Sequence, residues 1–132
     1  MQSHPYHNPE EVIKALEGTQ IASMGFSKGN FHLVFDNGQD IFNVSFKESK
    51  DWDFTPFRKQ NIVSKINFYK MDEILPVPLL KLYPIIRKYK GKQIVTAHLE
   101  SKIGMSGVVV FKEIHYDIQR RMNDTTFPVN LN

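Results

Sequence analysis

The chain has 132 residues, with 41% hydrophobic and 23% charged residues, values that suit one folded domain and exclude a disordered chain. Cysteine is absent, which excludes a disulfide framework, a thiolate zinc site and a cysteine nucleophile, and is compatible with a reducing compartment. The formal charge is +3, and all of the excess lies in the second half: residues 1–66 carry 7 Lys and Arg against 8 Asp and Glu, residues 67–132 carry 10 against 6.

The first residues, with His4 and His7 around Pro5, have neither the basic start nor the apolar stretch of a signal peptide, so nothing marks the chain for export. Asn8-Pro9-Glu10-Glu11 is a helix start, because Asn accepts from the orphan amides, Pro suits the first turn and early carboxylates complement the dipole. Val12, Ile13 and Leu16 share one face of the helix expected over residues 9–17, and Gly18 is placed to end it.

Residues 20–27 form a short apolar run that enters the turn-like Ser27-Lys28-Gly29-Asn30, after which residues 31–36 alternate as a strand does. Asn37-Gly38 is a strong hairpin signal. A two-residue loop there would set Asp36 opposite Gln39, Leu33 opposite Phe42 and Phe31 opposite Val44. Phe31, Leu33, Phe35, Phe42 and Val44 then share the core face, while His32, Val34, Ile41 and Asn43 look outward.

Residues 47–60 lose the alternation and read as a surface excursion. Strand character returns over residues 61–69. Pro84 begins a short helix through Ile85, Ile86 and Tyr89, which Gly91 ends. Residues 93–99 and 108–118 read as two further strands, and residues 1–8 and 120–132 as terminal tails. The order of elements lacks the strand and crossover-helix alternation of a parallel sheet. The expected fold is a soluble α+β domain, one antiparallel sheet of about five to six strands with two short helices packed on one face.

Three constellations compete for function. Trp52, Phe54, Phe57, Arg58 and Lys59 gather aromatic and basic side chains in the 47–60 segment, the composition of an interface hot spot, unless the aromatics fold back to complete the core. Lys81, Arg87, Lys88, Lys90 and Lys92, interleaved with Tyr83 and Tyr89, offer phosphate contacts and stacking to a nucleic acid. The exposed face of a core helix is charged in any case, so this reading stands second. His32, His98 and His115 lie on strands and would serve a small nuclease-like enzyme if they converged.

No apolar run approaches the roughly 20 residues of a membrane span. Gly-x-Ser-x-Gly and the phosphate-binding Gly-x-x-x-x-Gly-Lys-Ser/Thr are both absent. No histidine or carboxylate completes a ligand set around His4 and His7. Neither a metal, a cofactor nor a catalytic residue is assigned.

The run Glu17-Gly18-Thr19-Gln20-Ile21, followed by Leu33-Val34-Phe35-Asp36-Asn37-Gly38 and a third strand, resembles the start of small immunity proteins that neutralise secreted bacterial toxins. The resemblance covers about the first third of the chain. It implies a cytoplasmic, non-catalytic bacterial inhibitor whose partner is a toxin domain, and it assigns no residues. Such proteins are mostly acidic where they block basic nucleases, whereas this chain is basic. The sequence therefore predicts a protein-binding module centred on Trp52, Phe54, Phe57, Arg58 and Lys59.

Overall fold

The computed structural model describes residues 9–120. The expected tails at 1–8 and 120–132 lie outside the described residues except for Arg120, which ends the last strand opposite Asp40 rather than beginning a tail. Helix α1 (Pro9–Leu16) opens the described part, with Glu10 and Glu11 in its first turn. Val12 and Leu16, one turn apart, are both buried. Gly18 ends the helix at a φ of +85°, a conformation that side chains disfavour. Its N–H donates to the Val63 carbonyl at 2.8 Å.

Eight strands follow, not five to six: β1 (Gln20–Ser27), β2 (Asn30–Asp36), β3 (Asp40–Lys47), β4 (Asp51–Phe54), β5 (Ile62–Lys70), β6 (Val95–Ile103), β7 (Gly107–Phe111) and β8 (Glu113–Arg120). Helix α2 (Val77–Leu82) and a 3-10 helix (Pro84–Tyr89) separate β5 from β6. All strands join one antiparallel sheet in the order β4-β7-β6-β5-β1-β2-β3-β8.

The two extra strands come from two corrections. Residues 51–54, read as surface excursion, form β4 and pair with β7, Trp52 opposite Val109. Residues 108–118, read as one strand, are broken at Lys112 into β7 and β8. Both breaks fall at one corner. Glu48 takes a φ of +52°, its N–H donates to Asn30 Oδ1 at 3.0 Å, and the Lys112 N–H donates to the Lys47 carbonyl at 3.0 Å. At this corner β3 continues into β4 and β7 into β8, so two bent ribbons run side by side from Asp40 to Phe54 and back.

The hairpin register also differs from expectation, by two residues. Asp36 faces Ile41, Phe35 faces Phe42, Leu33 faces Val44 and Phe31 faces Phe46. Asn37 does not take a positive φ. Instead its Oδ1 accepts from the Gln39 and Asp40 N–H groups at 2.8 and 2.7 Å, and Asp36 Oδ1 accepts from the Gly38 N–H. The tight two-residue turn lies one hairpin earlier, where Lys28 and Gly29 take φ of +53° and +77° between Ser27 and Asn30. Because the slip is an even number, every side chain keeps its face. Phe31, Leu33, Phe35, Phe42 and Val44 are buried, and Phe46 joins them.

The corner folds one half of the sheet over the other, and the inner faces meet. Phe31 stacks on Phe54 with centroids 5.2 Å apart, and Phe46 meets Phe111 edge-on at 5.0 Å. Alternate residues of β7 serve two cores. Val109 and Phe111 join the inner cluster, which also holds Val12 and Leu16 of α1. Val108 and Val110 join an outer cluster with Leu79, Tyr83 and Ile86. The helices thus cover opposite faces of the sheet rather than one. The physical reason is legible in β7, whose unbroken run of valines needs cover on both sides.

Candidate functional site

The segment between β4 and β5 leaves the sheet as a loop whose base is hydrogen-bonded on both sides. Thr55 N–H donates to the Ser106 carbonyl at 2.8 Å, and Ser106 N–H donates to Thr55 Oγ1 at 2.9 Å. Asn61 closes the other end. Its side chain is buried; Oδ1 accepts from the Arg58 and Met105 N–H groups at 2.9 Å each, and Nδ2 donates to the Arg58 carbonyl at 2.7 Å. Gly104, at a φ of +91°, lies so close that a Cβ there would run into Gln60 and Asn61.

The tip of this loop presents Pro56, Phe57, Arg58 and Lys59 along an open groove completed by Gln20, Gln60 and Ile103. Phe57 and Ile103 are 44% and 45% exposed, large apolar groups left in water. Arg58 and Lys59 flank them, both exposed. Three of the five hot-spot residues expected from sequence therefore share one groove.

The other two do not. Trp52 and Phe54 are half-buried and pack against the inner core. The Trp52 ring lies 4.5 Å from that of Phe26 and 5.7 Å from that of Phe31. Phe54 fits against Gly107, its cross-strand partner, where a Cβ would meet the Phe54 ring. The aromatic segment thus divides, part completing the core and part lying in the groove.

Two of the five basic residues expected to meet nucleic acid are engaged within the fold. Lys88 Nζ lies 3.0 Å from Asp51 Oδ2, which raises the Lys88 pKa, and the Tyr89 hydroxyl donates to the same carboxylate oxygen at 3.2 Å. Arg87 Nε–H donates to the Leu80 carbonyl at 3.2 Å. Lys81, Lys90 and Lys92 are exposed.

The three strand histidines do not converge. His32, Ser45 and His115 form one cross-strand row over β2, β3 and β8, with His32 Nδ1 and Ser45 Oγ hydrogen-bonded at 2.8 Å. His115 Nε2 lies 3.2 Å from Glu113. His98 belongs to the other half of the sheet, in a row with Asp53, Val108 and Asn67. The Tyr83 ring covers it edge-on at 5.3 Å. Burial lowers the His98 pKa, with Glu100 partly opposing, and burial followed by Asp53 and Glu100 raises that of Tyr83. Among the described residues no group of three or more His, Asp or Glu is arranged to hold a metal ion.

Ile103 and Gln20 reach the groove through strand pairing, and Asn61 holds its loop through a buried hydrogen-bond knot; none of these leaves a local pattern, so all three escaped sequence reasoning. Only Gly104 carried a signal, as the glycine of the β6–β7 connection.

Neither known protein-family models nor curated proteins match this chain. Among the described residues no helix is long and apolar enough to cross a membrane.

Proposed function

We propose that this chain is a protein-binding module of the immunity type, whose loop groove docks on a toxin domain and blocks it. The observation that supports this reading is the exposed pair Phe57 and Ile103, flanked by Arg58 and Lys59, on a loop hydrogen-bonded at both ends. An aromatic anchor beside an arginine is the usual make-up of a binding hot spot. A loop already held in shape loses little further freedom on docking, so more of the contact energy appears as affinity. The two cations, and the net charge of +3, fit a partner surface that carries carboxylates. An inhibitor that protects its own producer meets the toxin before export, which places this module in the cytoplasm.

The test is calorimetry against the product of the gene beside this one. Phe57→Ala and Arg58→Ala should each weaken binding by about 2 kcal/mol or more while leaving the melting temperature nearly unchanged. Trp52→Ala should act in the opposite sense, lowering stability because the ring packs on Phe26 and Phe31. Equal affinity of the wild type, Phe57→Ala and Arg58→Ala would remove the groove from the interface.

A further inference from the structure

Strand β1 leaves its neighbour almost at once. Its pairing with β5 is confined to Gln20 opposite Ile62, with Ile21 N–H donating to the Asn61 carbonyl at 2.7 Å. A register irregularity between Ile21 and Ser23 then carries β1 away with β2. Residues 22–27 are exposed without exception, and among the described residues their backbone pairs with β2 alone. Among the described residues, one long edge of β1 is therefore an open row of amide and carbonyl groups.

Natural sheets guard such edges with charge. The edge strand β8 carries Glu113, Asp117 and Arg120, β4 carries Asp51 and Asp53, and the side of β5 that β1 abandons carries Lys65 and Lys70. Strand β1 has no charged residue over Gln20–Ser27. It does carry two exposed large apolar side chains. Met24 and Phe26 stand opposite Leu33 and Phe31, on the inner face, yet are 40% and 50% exposed.

We propose that this edge is closed by β1 of a second copy of the chain, in an antiparallel pair about a two-fold axis at Gly25. The strand is self-complementary about that point. Met24 of each copy faces Phe26 of the other on the inner side, and Ser23 faces Ser27 on the outer side. No register of this pair opposes like charges along Gln20–Ser27. The resulting sheet runs unbroken from β8 of one copy through both β1 strands to β8 of the other. An edge this short makes a small interface, so dimer and monomer exchange with concentration. The open edge that supports this pairing is there whether or not the groove binds a partner, and β1 touches that groove through Gln20.

Gly25 supplies the test. Its φ is ordinary, and a Cβ there meets open space, so substitution leaves the monomer undisturbed. Sedimentation velocity of the wild type from micromolar to millimolar concentration should show a monomer giving way to a dimer, and Gly25→Ala should do the same. Gly25→Lys and Gly25→Asp should each remain monomeric over the same range, since each places like charges directly opposite at the axis. An equimolar mixture of the Lys and Asp variants should recover the dimer, now held by opposite charges. A wild type that stays monomeric throughout would overturn the proposal. So would a dimer that survives in both charged variants, which places the contact elsewhere, or a mixture that stays monomeric.

Discussion

Asn61→Ala tests whether the groove owes its shape to one buried amide. The substitution removes three hydrogen bonds, two accepted by Oδ1 and one donated by Nδ2. Arg58 is exposed, so water can replace its two lost contacts, and each then costs about 1 kcal/mol. Met105 is fully buried, and its N–H is left without an acceptor. An orphaned buried donor costs about 1 to 3 kcal/mol. The expected loss is therefore about 3 to 5 kcal/mol, measured as the fall in unfolding free energy in urea at unchanged m-value. Amide hydrogen exchange adds a local reading, since the Arg58 and Met105 amides should lose protection even where the sheet keeps it. Asn61→Asp separates the causes, because it keeps both acceptor contacts but turns a donor into a charge facing the Arg58 carbonyl, and should destabilise at least as much. A loss under about 1 kcal/mol for Asn61→Ala would refute the claim that this amide holds the loop.

Three other outcomes follow from the packing and the charges. Phe42→Ala, at a site with no exposure between the two halves of the sheet, should lower stability by about 3 to 5 kcal/mol in denaturant titration. Gly107→Ala forces a methyl into Asp53 and Phe54 of the neighbouring strand, and should cost about 1 to 3 kcal/mol and loosen β4 in hydrogen exchange. Burial holds the His98 pKa below its ordinary value of 6.5, so the unfolded chain takes up that proton more readily than the folded one. Its contribution is fully present above pH 6.5 and is lost as pH falls from there through the folded value; stability measured across that window should lose part of its slope in His98→Gln.

What the sequence determined by itself was local and periodic. The paired glutamates of the first helical turn, the alternation of Phe31, Leu33 and Phe35, and the positive-φ glycines at 18, 29 and 38 are all properties of neighbouring residues, and each sits in the structure in the role its chemistry suits. Even the misjudged Asn37 hairpin left the core faces correct, because a slip of two preserves the pleat.

Tertiary structure decided whatever depends on residues far apart in the chain. A four-residue strand such as β4 has no periodicity of its own to read, and it exists because β7 lies beside it. The break at Lys112 follows from the bend at Glu48 on the paired ribbon, not from any residue near 112. The second helix sits on the opposite face from the first because Val108 and Val110 need cover that Val109 does not share. The aromatic segment divided between core and groove for the same reason: Phe31 and Gly107 make room for Trp52 and Phe54, and no residue does so for Phe57. Composition alone cannot tell those aromatics apart, since burial is a property of what packs against a side chain rather than of the side chain.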